Sequence, residues 1–166
     1  MNKADFGRLV DLYGTGIYRY VRRMIGEAAA EDLTQEVFMK ALSAERSPEP
    51  AAEKSWLYAI ASNCCIDYLR SNDYDKKRKG RWAIQASQGD KAPEELLADV
   101  EDRERLARAV ESLPSKQKEV LLLKVDGGFT FAEIAKMLKE PPDTVASRMY
   151  AAIQTLRQAL RQENVR

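Results

Sequence analysis

An all-α fold of two small helical domains joined by a flexible linker is predicted by three observations. Apolar residues recur at three- and four-residue steps along most of the chain, no segment alternates convincingly with period two, and a polar, basic stretch divides the periodic segments. The 166 residues, 45% hydrophobic and 32% charged, suit one ordinary domain or two small ones and exclude collagen-like or wholly disordered chains.

The first helix, or broken helix, is read from Phe6, Leu9, Val10, Tyr13, Ile17, Tyr20, Val21 and Met24, with Gly14 and Gly16 as possible interruptions. A second spans about Ala30 to Leu42: Leu33, Val37, Phe38, Ala41 and Leu42 face inward, and the first-turn acids suit the helix dipole. Ser43 to Ser55 carries Pro48 and Pro50 without periodicity and is expected to be a loop. A nearly all-round apolar helix follows from Trp56 to about Arg70. Ser71 to Pro93 is basic, polar and poor in large apolar residues, so it is expected to be a linker. Pro93 should open a helix with Leu96, Leu97, Val100, Leu106, Val110 and Leu113 as its buried edge, ending near Ser112 to Pro114. Three further helices are expected: Ser115 to Val125, Thr130 to Leu138, and about Thr144 to Gln162.

The longest uninterrupted apolar run, Trp56 to Ala61, has six residues, and the N-terminus shows no apolar signal core. No membrane insertion and a cytoplasmic location are expected. There is no histidine, and the only cysteines, Cys64 and Cys65, are adjacent, which leaves no His/Cys zinc site, His-based triad or disulfide framework. Both cysteines read as small buried residues rather than redox sensors. No catalytic residues, metal or cofactor are expected, because no Asp/Glu pair falls in a recognisable site. The net charge of +1 conceals an uneven distribution. Residues 1–82 hold 14 Lys/Arg against 12 Asp/Glu, residues 83–112 hold 4 against 8, and residues 113–166 hold 9 against 6. Two basic blocks flank an acidic one, which fits polyanion contact but also an ordinary solvated surface.

The segment Thr130 to Leu160 is the most informative. Thr130 and Glu133 have capping-box spacing, Phe131, Ile134, Ala135 and Leu138 give the short helix a buried edge, and Lys139 to Pro142 stops it. Asp143 or Thr144 can cap the next helix, with Val145, Met149, Ile153 (or Ala152), Leu156 and Leu160 as its inner stripe. Short helix, tight turn and longer helix describe a helix-turn-helix, whose outward residues Thr144, Ser147, Arg148 and Tyr150 could face a major groove. Pattern alone favours a plain helical hairpin over that reading.

Longer strings decide between them. Leu113, Pro114, Gln117 and Glu119 to Leu123, then Thr130 to Ala135, Pro141, Thr144, Val145, Ser147, Arg148, Leu156 and Arg157 resemble region 4 of extracytoplasmic-function (ECF) sigma factors of bacterial RNA polymerase. Asp32 to Phe38, Trp56 to Tyr58, Ile60, Ala61, Asn63 and Ile66 to Arg70 resemble region 2 of the same family. Two multi-residue motifs in the expected order are far more specific than a helix-turn-helix alone. The resemblance implies a region 2-like domain over residues 1–70, a linker over 71–93 and a region 4-like domain over 94–166. It also implies a non-enzymatic subunit that directs promoter recognition, −10 melting and transcription initiation.

By residue-level similarity, Asp32, Gln35 and Glu36 match the family's contacts to the β′ clamp helices of core RNA polymerase, with the β subunit as a further partner. Charge-assisted hydrogen bonds suit such contacts. Asn63, with Lys54, Ser55, Ser62 and Arg70 nearby, matches the part that reads the −10 strand of promoter DNA. Thr144, Ser147, Arg148 and Tyr150 match the −35 contact. Trp56 is assigned to packing, and Tyr58 stays unassigned. The chain departs from the family pattern at Ser62, Ala146 and Ala151, where cations are frequent, and at Lys139 and Asp143, where glycines are usual. Each missing cation removes about one phosphate contact.

The 23-residue linker reaches about 75 Å extended at ~3.3 Å per residue. As a coil it reaches about 26 Å. The promoter elements lie about 17 base pairs, or roughly 58 Å, apart. The tether can therefore serve both elements or let the domains fold back, so an inhibited compact form is expected, clamped by an anti-sigma factor that is inferred from the family. The alternatives are a helix-turn-helix regulator acting without core polymerase, expected to bind duplex operators tightly by itself, and a helical adaptor indifferent to DNA.

Overall fold

The computed structural model describes residues 1–79 and 97–164, which among them form seven α-helices, one 3-10 turn and no strand. Helices α1 (Lys3–Ile25), α2 (Ala30–Ser43) and α3 (Glu53–Lys79) pack against one another as the first domain. Helices α4 (Leu97–Glu111), α5 (Ser115–Val125), α6 (Phe131–Leu138) and α7 (Pro142–Asn164) form the second.

Local chemistry sets the ends of α1. The Asn2 side chain accepts from the Asp5 amide at 2.8 Å, and Gly26, at φ 94°, closes the helix by donating to the Arg22 carbonyl. Gly14 and Gly16 do not interrupt the helix. A β-carbon at Gly16 would stand 2.6 Å from the Tyr58 hydroxyl, so this glycine lets α3 approach the α1 backbone. Leu9, Ile17, Tyr20, Val21 and Met24 meet Leu33, Val37, Phe38 and Ala41 of α2 and Leu57, Tyr58, Ala61, Cys64 and Cys65 of α3. Phe6 and Phe38 meet edge to face at 6.3 Å.

Several expected boundaries move. The Ser43 to Ser55 loop is shorter: Pro50–Ala52 form a 3-10 turn and α3 already begins at Glu53. That start is held by Arg8, whose guanidinium donates to both oxygens of the buried Glu53 carboxylate at 3.1 and 2.6 Å. The same helix runs past Arg70 to Lys79, so the first nine residues of the expected linker are helical. The sequence Ser71 to Lys79 contains no Gly or Pro to stop it. The expected helix opening at Pro93 and the rest of the linker lie outside the described residues. Leu42 and Leu106, expected inward, are exposed, because each lies beyond the stripe its helix presents to its neighbours.

In the second domain, Val120, Leu122, Leu123, Phe129, Ile134, Ala135 and Val145 form the centre, with Leu113, Leu121 and Ala152 beside them. The capping box forms: Thr130 Oγ1 accepts from the Glu133 amide at 3.1 Å, and Glu133 Oε1 accepts from the Thr130 amide at 3.0 Å. Lys139 ends α6 in the left-handed region at φ 54°. Helix α7 starts at Pro142, two residues before the expected start, because proline suits a first helical position.

The domains are docked. Helix α5 lies against α1 and α3, and α6 lies against α3. Tyr58 stacks edge to face with Tyr20 at 5.6 Å on one side and with Phe129 at 5.3 Å on the other, so one apolar cluster runs through both domains. Tyr58, unassigned from sequence, is thus a core residue at the junction.

Candidate nucleic-acid interface

On α2, Leu33 and Val37 are buried while Asp32, Gln35 and Glu36 are exposed. The 3.6-residue period puts the polar three on one outward face, and Glu36 pairs with Lys40 at 3.3 Å, a solvent-exposed pair of small energetic weight. Met39 and Leu42 are exposed on the same helix, one and two turns further on. Leu42, expected inward, and Met39 each lie one position off the buried stripe of Phe38 and Ala41, which is the signal for their exposure.

The α3 residues separate into two groups. Asn63 and Arg70 are exposed and line a cleft of about 120 Å³ together with Asp67 of α3 and Lys116, Glu119, Leu138, Glu140 and Arg148 of the second domain. Ser55 stands in the first turn of α3, its hydroxyl donating to the Ala52 carbonyl at 3.1 Å. Lys54 and Ser62 are engaged across the junction. Lys54 Nζ donates to the Gly127 carbonyl at 2.6 Å and sits 5.0 Å over the Phe129 ring. Ser62 is fully buried, and its hydroxyl donates to the carboxylate of Glu119, which is buried too. Ser62, expected at the −10 strand, is enclosed between α3 and α5 in this arrangement.

On α7, Ser147 and Tyr150 are exposed and Thr144 is half-buried. Arg148 faces the cleft, with Nη2 donating to Glu140 at 3.3 Å and Nη1 buried without a partner among the described residues. The cleft therefore brings together expected −10 residues (Asn63, Arg70) and an expected −35 residue (Arg148) that lies 85 and 78 positions away from them in the sequence. Its rim carries Arg70, Lys116 and Arg148 against Asp67 and Glu140.

Burial tunes the junction. The Glu119 carboxyl is raised above the usual carboxylate range, first by desolvation, against the opposing effects of the Ser62 hydroxyl, Lys116 and Arg148. Lys118, whose ammonium donates to the Met24 carbonyl at 3.4 Å, is lowered by the same desolvation. Glu119 was legible as part of a motif but not as a junction residue; an acid abutting the apolar run Val120 to Leu123 was the signal. Both cysteine thiols are buried and pushed up by desolvation, which suppresses their thiolates. Among the described residues no cluster of three His, Cys, Asp or Glu could hold a metal, and no helix is long and apolar enough to cross a membrane.

Residues 9–74 match sigma-70 region 2, and residues 103–156 match sigma-70 region 4. The chain is similar to the ECF RNA polymerase sigma factor SigW of Bacillus subtilis, 30% identical over 166 residues that cover 94% of this chain and 89% of SigW. It is also similar to the ECF RNA polymerase sigma factor BldN of Streptomyces coelicolor, 30% identical over 162 residues covering 95% of this chain but 61% of BldN, so it spans under two thirds of that relative's length. The fold is shared with the sigma factor RpoE of Bartonella quintana, solved with the anti-sigma factor NepR (TM-score 0.70, 23% identity, 95% of this chain and 97% of the other). It is shared equally with CnrH, solved with the cytosolic domain of CnrY (TM-score 0.70, 23% identity, 97% and 90%).

Proposed function

The chain belongs to the ECF family of RNA polymerase sigma factors, and from that premise we propose how its residues divide the work of transcription initiation. The protein is a non-catalytic specificity subunit. It binds core RNA polymerase through Asp32, Gln35 and Glu36, whose carboxylates and amide present acceptors and a donor to the β′ clamp helices, while Leu33 and Val37 fix the helix in its own core. The β subunit is a further contact. This assignment is supported by the outward position of all three polar groups beside the exposed Met39.

Promoter DNA is read in two places. Asn63 reads a −10 base on its hydrogen-bonding edge, with Lys54, Ser55, Ser62 and Arg70 serving the strand backbone, once α3 is uncovered. Thr144, Ser147, Arg148 and Tyr150 on the first turns of α7 enter the −35 major groove, with Arg148 as the base-reading candidate. Residues 1–70 act as the region 2 domain, 71–93 as the tether and 94–166 as the region 4 domain, although α3 runs on to Lys79. The site of action is the cytoplasm, where polymerase works, and an anti-sigma factor is a natural regulator, given that the similar fold of RpoE was solved with the anti-sigma factor NepR.

The observation that carries this reading is the occurrence, in order on one chain, of the region 2 and region 4 matches. In-vitro transcription with purified core polymerase on a genomic promoter library tests it. The chain is expected to bind core and direct initiation from a defined set of promoters; failure on both counts would overturn it.

A further inference from the structure

The start of α7 presents an outward surface that is nearly free of charge. Its exposed positions from Pro142 to Tyr150 are Pro142, Asp143, Ala146, Ser147 and Tyr150, and none of them is a cation. Val145 and Ala152 are fully buried and fix which side of the helix turns away from the core. Arg148 lies on a flank of this surface. It stands two residues from Tyr150, roughly 200° round a helix of 3.6 residues per turn, and its Nη2 donates to Glu140 at 3.3 Å. A base read by Arg148 therefore lies beside the outward surface and not under it.

The major groove offers each base edge a different match. Guanine presents two acceptors, which suit a cation, whereas thymine presents one acceptor and a C5 methyl group, the apolar feature of the groove. Tyr150 is 67% exposed and takes no part in either apolar cluster of the fold, and Ala146 sets a methyl group one turn before it. The two stand about 6 Å apart along the axis at ~1.5 Å per residue, close to two base-pair steps of ~3.4 Å. They can meet thymines on nearby steps. Asp143, exposed in the first turn, adds a negative charge that disfavours the acceptor edge of guanine there. Ala146 also stands where a cation is frequent in the family, so an apolar contact to a base takes the place of a phosphate contact.

We infer that Ala146 and Tyr150 are specificity-determining residues that read thymine C5 methyl groups in the major groove of the −35 element. The inference rests on the functional reading above and adds to it the chemical feature of the DNA that is recognised. Preference at −35 then depends on apolar contact as well as on Arg148.

The test uses holoenzyme formed from the full chain and core polymerase. Promoters are selected from a library randomised over the −35 element, and the enriched element is expected to hold thymine at two positions. Each of these thymines is then replaced in turn by deoxyuridine, which removes the methyl group and leaves the hydrogen-bonding edge intact. Affinity of wild-type holoenzyme should fall about fourfold at each, the effect of withdrawing one methyl-sized group from burial. One of the two losses should disappear in Tyr150→Ser holoenzyme, and the other in Ala146→Ser; both positions are exposed, so neither change disturbs the core. Deoxyuridine tolerated at every position, losses that persist unchanged in both variants, or an enriched element without thymine would each overturn the inference. A chain that joins no core or enriches no upstream element ends it as well, by removing the functional reading beneath it, and the binding and selection steps reveal that before any deoxyuridine is introduced.

Discussion

The outward face of α2 and the junction side of α3 belong to one three-helix bundle, yet their polar groups keep different company. Asp32, Gln35 and Glu36 meet solvent and a neighbouring lysine on their own helix, while Lys54 and Ser62 are bonded to residues more than fifty positions away. The difference follows from which faces of the bundle the second domain covers: α5 lies along α1 and α3 and leaves the polar side of α2 open. One face is open to solvent, and the other is covered by the second domain. Two polar faces of one bundle thus differ in accessibility solely through which of them a second domain covers.

The largest expected effect would break the open side of that comparison. Gln35→Ala with Glu36→Ala should weaken core binding by about 3 kcal/mol if each side chain supplies one charge-assisted bond of ~1.5 kcal/mol. Helical content and domain docking should stay unchanged; equal affinity in a core-binding titration would remove α2 from the interface.

Next comes the covered side. Arg148→Ala should weaken holoenzyme binding to a −35 duplex by roughly 1–3 kcal/mol and relax preference at one base position. A competition assay over single-base variants reads both, and an unaltered preference would reduce Arg148 to a surface role.

A smaller effect sharpens the comparison by pH. Glu119 is surrounded by Ser62 and Cys65 of α3, Lys116 of α5, Tyr20 of α1, Glu140 and Arg148, and its carboxyl is raised in the docked form chiefly by burial. A group raised on docking favours the docked form below its open-chain pKa, and that contribution is lost as pH rises through the docked value. Scattering radius should therefore fall as the solution is acidified from neutrality, and Glu119→Gln should flatten the response. Lys118, lowered by burial, works in the alkaline range with the opposite sign, because its docked form favours the neutral amine. A radius independent of pH in wild type would show that Glu119 does not titrate with docking.

The smallest expected change lies away from both faces. Lys139 holds a left-handed conformation that costs a non-glycine residue about 1 kcal/mol, so Lys139→Gly should stabilise the chain by up to that amount in thermal or urea unfolding. No gain would mean that the lysine side chain offsets the backbone cost.

Periodicity made most of the helices legible, because a buried stripe at 3.6-residue spacing leaves a strong trace: α2, α5 and α6 stand within a residue of their expected bounds. The capping box at Thr130 and Glu133 was equally readable, since both partners lie within one turn. Boundaries set by distant partners were not. Glu53 starts α3 early because Arg8, 45 positions away, binds it, and Gly16 stays helical because Tyr58 packs on it. The outward α2 face was legible for the same periodic reason as its core. The fate of Ser62 was not, since nothing local distinguishes a serine awaiting DNA from one donating to an acid 57 residues on.

By itself, then, the sequence determined the helical class, the order of the two domains and the family motifs, since each rests on residues close together in the chain. Only the tertiary structure decided that Lys54, Ser62, Glu119 and Arg148 meet at one junction and that the side of α3 bearing Ser62 is covered. Those facts depend on how two bundles dock, and docking is set by shape, burial and desolvation summed over contacts far apart in the chain, which no local pattern encodes.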